Sequence, residues 1–131
     1  MTRNTDEVTR ANRLAWNASA HRHRQSEEWQ RQLSGFADAS FSTLDPTVTA
    51  ALERYGVSGA SAVQIGCNNG REVLSMLALG AAKATGIDQS DAFLAQAAEL
   101  RAISPHGTDA RFVCANVYAL PDELEARFDL A

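Results

Sequence analysis

Cysteine is scarce in this chain, and the scarcity excludes whole classes of protein. Only Cys67 and Cys114 occur in 131 residues. There is no CxxC pair and no histidine at ligand spacing, so a zinc site or any other metal site is not expected. Both cysteines fall in predicted strand or strand-end positions, which suits a reducing compartment and thiols used as small hydrophobes. Long apolar runs are missing too. None approaches the roughly 20 residues that span a bilayer, and the opening stretch from Met1 to Glu7 has no apolar signal core. The expected location is cytoplasmic, with no membrane partner. Positive charge is also in short supply, with 12 Lys and Arg against 16 Asp and Glu. A net charge of −4 argues against a sequence-independent nucleic-acid binder, which needs a basic surface.

What charge there is lies unevenly. Residues 1–34 carry six Arg against Asp6, Glu7, Glu27 and Glu28. That excess reads as a solvated helix face, with the alternative that one Arg meets an anionic ligand group. With 45% hydrophobic residues the chain suits one soluble domain with a core of its own.

Two regions separate along the chain. Residues 1–46 form an N-terminal helical segment: the first dozen residues are expected to fray, and Glu7 to Leu33 carries sparse apolar points among Arg, Gln, Asn and His. Such helices lie over another surface rather than build a core. Trp16 and Trp29 read as packing residues, His21 and His23 as exposed ones. Gly35 to Pro46 is a loop, and Asp45-Pro46 opens a helix over Thr47–Tyr55 whose Val48, Ala51, Leu52 and Tyr55 share one face. Residues 47–131 then alternate. Strands are expected at Ser61–Ile65, Lys83–Ile87 and Ala110–Ala115, with helices at Gly70–Leu79, Ser90 or Asp91 to Ile103, and Asp122–Ala126. Phe128-Asp129-Leu130 begins a fourth strand. The fold class is therefore α/β: a Rossmann-like parallel sheet, covered on both faces, of about three strands and a stub, preceded by helices.

The chemistry concentrates in Ala62–Gly70, which reads Ala-Val-Gln-Ile-Gly-Cys-Asn-Asn-Gly: an apolar strand, a tight turn, then a helix. Asp88 ends the next strand, 18 residues after Gly70. Turn glycines let backbone N–H groups approach a ligand, and an acid at the end of the second strand can accept from two ribose hydroxyls. This pairing holds adenosine-containing cofactors. Asp88 could instead cap the following helix, and Gly66 and Gly70 could simply shape the turn. A dinucleotide wants G-x-G-x-x-G, and Gly66-Cys67-Asn68-Asn69-Gly70 has a different spacing, with Asn68 placed where a pyrophosphate needs bare backbone.

From Val63 to Leu120 the chain resembles the cofactor-binding half of class I S-adenosylmethionine-dependent methyltransferases. Gly66, Cys67 and Gly70 match that family's first motif, with Gln64 in place of its acid and Asn68 in place of its middle glycine. Asp88 matches the second motif, with Gln89 beside it. Ala115 to Pro121 matches the third in spacing, with Asn116 in place of the acid. The resemblance implies S-adenosyl-L-methionine as cofactor, held by Gly66, Cys67, Asn68, Gly70, Asp88, Gln89, Asn116 and Val117. In that reading Asp88 binds the ribose diol, Asn116 accepts from the adenine amino group and the Val117 N–H donates to the ring. Asn116 also reads as a plain turn residue, and Cys67 as a filler that presents its backbone. The segment Trp16–Ala20 resembles the lid helices such enzymes place over the cofactor.

The implied activity is methyl transfer to a small-molecule acceptor. The family's later strands supply most acceptor contacts and any base, so no catalytic residue is nominated. The chain is expected to represent the N-terminal portion of such an enzyme, stopping at the start of its fourth strand. Two rivals remain: a nicotinamide-dinucleotide oxidoreductase, and a non-catalytic fragment that associates through an open sheet edge.

Overall fold

A computed structural model describes residues 2–124 and 128–131. Eight main elements follow in order: α1 (Thr2–Arg24), α2 (Glu27–Gly35), α3 (Pro46–Arg54), β1 (Ser61–Ile65), α4 (Arg71–Ala78), β2 (Lys83–Asp88), α5 (Asp91–Ile103) and β3 (Ala110–Cys114). Single 3₁₀ turns occupy Gly107–Asp109, Val117–Ala119 and Asp122–Leu124.

Strand β2 lies between β1 and β3, and both pairings are parallel, with Ser61 opposite Lys83 and Ala84 opposite Ala110. Leu130 forms a parallel bridge to Ala62 on the other side of β1. The Val63 N–H donates to the Leu130 carbonyl at 2.8 Å, and the Asp129 carboxylate accepts from the Ser61 N–H at 2.9 Å. Pairing therefore runs outward from β1 in both directions. That reversal makes the carboxyl end of β1 a topological switch point, where open α/β sheets bind ligands.

One sheet face is lined by small residues. Ala62, Ala84 and Ala110 let Val73, Leu74 and Leu77 of α4 and Leu100 of α5 pack closely onto the strands. On the opposite face Val63 and Ile87 meet Leu124, with Val113, Ala115 and Phe128 at the margin. The α/β expectation holds, with strand starts where the apolar alternation put them.

Several expectations need correcting. Residues 2–12, expected to fray, are helical, because α1 begins at Thr2. The helical pattern expected from Glu7 to Leu33 is carried by two helices that meet at Gln25-Ser26, where the Ser26 Oγ caps α2 by accepting from the Trp29 N–H. Helix α3 forms where Asp45 and Pro46 specify it, with Asp45 accepting from the Val48 N–H at 2.8 Å. It buries no residue, however: Tyr55 is 75% and Val48 40% exposed, and only Leu52 packs against the core. Caps determine where a helix starts, not what it docks against. Helix α4 starts one residue late because Gly70 stands outside it with φ 78°. Strand β3 ends at Cys114, which is exposed rather than a buried filler. The helix expected over Asp122–Ala126 is a 3₁₀ turn through Leu124, and its remainder lies outside the described residues. His23 is half-buried, in ring contact with Trp29 and Phe93 at centroid distances of 6.0 and 6.2 Å.

Candidate functional site

The turn after β1 is built from backbone conformations that ordinary side chains resist. Gly66 and Gly70 adopt φ 75° and 78°, and Asn68 between them adopts φ 51°. Asn is the non-glycine residue best suited to that left-handed region. A Cβ on Gly66 would meet nothing within 4 Å, so the space above it is open. A Cβ on Gly70 would collide with the Phe112 ring. The first glycine thus borders free space while the second permits packing.

Strand β2 secures this turn. The Ile87 carbonyl accepts from the Gly66 N–H at 2.7 Å and from the Cys67 N–H at 3.1 Å. Asp88 contributes its whole carboxylate: one oxygen accepts from the Asn68 N–H and the other from the Ser90 N–H, both at 2.8 Å. Each oxygen keeps a second lone pair, so the same group can hold the turn and still accept from a ligand.

A cavity of about 560 Å³ opens over these strand ends. Its floor is Ile65, Gly66, Asn68, Ile87, Asp88 and Gln89, one wall is Ala115, Asn116, Val117 and Tyr118, and the roof is Thr5, Val8, Thr9, Asn12 and Trp16 of α1. Among the described residues, Asp88 is the one charged side chain in that lining.

Of the eight residues singled out from the sequence, six line this cavity: Gly66, Asn68, Asp88, Gln89, Asn116 and Val117. Cys67 and Gly70 do not line it. Cys67 is 3% exposed and lies under the turn, against the bare Cα of Gly86. Its thiol is pushed up to about 12, first by burial and then by the Asp88 charge, which makes it an unreactive packing group. Asn116 accepts from the Tyr118 N–H at 3.0 Å, shaping the turn after β3 while facing the cavity. Gln64, at the position of the family's acid, instead donates to Glu72 at 2.6 Å, and its buried Oε1 has no hydrogen-bond partner.

Sequence reasoning missed most of the roof and the contacts that seat it. Trp16 is 48% exposed at the cavity and leans on Phe93 at 6.3 Å between centroids. Asn17 donates to Asp91 at 2.9 Å and accepts from the Ser90 hydroxyl at 2.6 Å. The Gln96 amide donates to the Ala20 carbonyl at 2.8 Å and lies 3.0 Å from His23 Nδ1. Arg24 pairs with Glu99 at 2.5 Å. One signal for Gln96 was available: it stands inside the apolar period of Phe93, Ala97 and Leu100.

A family model described as a methyltransferase domain matches residues 62–131. That span is more than half of the chain, begins in β1 and includes the turn, Asp88 and Asn116. The chain belongs to this methyltransferase family, which bears out the resemblance to class I enzymes carried by the motifs. No curated protein matches the chain. No helix among the described residues is long and apolar enough to cross a membrane.

Proposed function

We propose that this chain binds S-adenosyl-L-methionine at the carboxyl end of its sheet and serves methyl transfer to a small-molecule acceptor in the cytoplasm. The observation that carries the reading is the combination of an open left-handed turn at Gly66–Asn68 with the Asp88 carboxylate in the same cavity. Asp88 would bind the ribose hydroxyls through the lone pairs left free by the Asn68 and Ser90 N–H groups. Gln89, Asn116 and Val117 would border the adenine. When bound, the cofactor supplies an electrophilic methyl group on a sulfonium.

The chain's own contribution is alignment and exclusion of water, the two factors that matter most in such a displacement. Helix α1 roofs the cavity, so residues 1–46 act as a lid segment over the cofactor-binding domain of residues 47–131. The neutral lining apart from Asp88, and a rim of Val8, Trp16, Ile65, Val117 and Tyr118, favour an acceptor without negative charge. A dinucleotide is disfavoured because Asn68 occupies the place where a pyrophosphate needs bare backbone.

Isothermal titration tests the reading. S-adenosylhomocysteine is expected to bind and NAD to give no heat. Binding of NAD with no response to the thioether would replace the methyltransferase reading by the oxidoreductase one.

A further inference from the structure

The residues of the turn alternate in exposure. Gly66 and Asn68 face the cavity, while Cys67, Asn69 and Gly70 are buried behind it. Asn69 is completely buried, and its Nδ2 donates to the Oε1 of Gln32 at 2.7 Å. Gln32 belongs to α2 and is 1% exposed. Its own Nε2 donates to Glu28 at 3.2 Å, and Glu28 is held in turn by Arg31 at 2.5 Å. On the other side, Asn69 Oδ1 accepts from the Arg71 N–H, at the long distance of 3.4 Å, where α4 begins. A polar chain thus runs from α2 through the interior to the residue next to Asn68. Helix α2 itself places no residue in the cavity lining.

Apolar packing alone would not require this arrangement. Gln32 shares its helix face with Trp29 and Phe36, and an apolar side chain there would bury without any need for a partner. Two facing amides accept one relative position of their elements and penalise others, because each group is left unsatisfied when the bond opens. Asn68 needs such a constraint, since its left-handed conformation is one that a free chain leaves readily. Asp88 holds Asn68 from the β2 side. Gln32 holds the side chain of the neighbouring Asn69 from the α2 side.

We infer that Gln32 and Asn69 are positioning residues. Their buried amide pair fixes the turn in the conformation that receives the cofactor, and it makes α2 a determinant of affinity without contact to the ligand. This inference rests on the proposed cofactor site for its affinity arm and on the fold alone for its structural arm.

The test uses the full chain with Gln32→Met, which removes the amide at similar volume, and Gln32→Asn, which keeps the polarity but shortens the reach. Leu100→Ala serves as a control that destabilises the core without removing either member of the amide pair. Both Gln32 variants should weaken S-adenosylhomocysteine by about tenfold, the effect of losing one buried hydrogen bond. This is measured well below the melting temperature. Both should also move the backbone amide cross-peaks of Gly66 and Asn68 in ¹H–¹⁵N spectra, while Leu100→Ala should alter neither readout. Unchanged cross-peaks, or moved cross-peaks with unchanged affinity, would overturn the inference. An equal effect from Leu100→Ala would overturn it as well, because the loss would then be general. If Gln32→Met does not fold, Gln32→Asn decides. If the unaltered protein fails to bind the thioether, the functional reading falls, and the cross-peaks alone decide whether the pair fixes the turn.

Discussion

Along α4, the residues that meet the sheet are Val73, Leu74 and Leu77, all buried among alanines of the strands. Along α1, beside the ring contacts of Trp16 and His23 with Phe93, Asn17, Ala20, His23 and Arg24 are joined to Ser90, Asp91, Gln96 and Glu99 by hydrogen bonds and an ion pair. The first contact removes apolar surface from water, and that removal is the main source of folding free energy. The second exchanges water partners for protein partners, at a small net gain per bond but with a defined geometry. The sheet region is therefore built for stability and the N-terminal helices for placement. A lesion in the first should appear as unfolding, and a lesion in the second as a displaced cavity roof.

The sharpest way to break this contrast is Leu74→Ala. Leu74 is 1% exposed, and truncating such a side chain costs about 2–5 kcal/mol. Urea denaturation should show a loss of that size; a loss as small as that of an α1 variant would erase the distinction.

Asp88→Ala comes next, at the junction of the two regions. It should weaken S-adenosylhomocysteine by roughly 2–3 kcal/mol, because ribose hydroxyls would face a pocket without an acceptor. Asp88→Asn should cost less, as its amide oxygen still accepts. Circular dichroism decides how much is structural: collapse of the Asp88→Ala fold would mean that the bonds to Asn68 and Ser90 are the residue's principal task.

Asn17→Ala should cost about 1 kcal/mol, the worth of an ordinary hydrogen bond. Hydrogen exchange should quicken in α1 and stay unchanged in α4. Acid should imitate this variant. The Asn17 amide, followed by the backbone N–H of Asp91 itself, holds the Asp91 carboxyl below its ordinary value of 3.8. A depressed carboxylate contributes stability above its unfolded pKa and loses it as pH falls through the folded value. Loosening of α1 is thus expected below about pH 4, and Asn17→Ala should flatten that dependence.

Arg24→Ala should have the smallest effect, under about 1 kcal/mol, since both partners of its ion pair are substantially exposed. That effect should fade as salt rises. A larger, salt-independent loss would point to its guanidinium, 5.4 Å from the centre of the Trp29 ring, as the more important contact.

The strands were legible because their signal is local. Ser61–Ile65 and Lys83–Ile87 announce themselves by apolar runs between turn residues, and Ser90 by its place before a helical period. The turn was legible for the same reason, since its glycines and its distance from Asp88 are sequence properties. The docking of α3 was misread because amphipathic spacing records which residues share a face, not whether another element meets that face. Tyr55 illustrates this, sitting on the expected buried face and remaining 75% exposed.

By itself the sequence determined the α/β alternation, the parallel sheet and the neighbourhood of the ligand site, because each follows from residues a few positions apart and from a topology that allows few alternatives. Tertiary structure alone decided the rest. It turned Cys67 and Gly70 inward and Gly66 and Asn68 outward, brought Val8 and Trp16 over strand ends more than 45 positions later, and joined Gln32 to Asn69 across 37 residues. Such contacts depend on where whole elements come to rest. That is settled by the sum of packing over the entire core, and no single stretch of chain contains it.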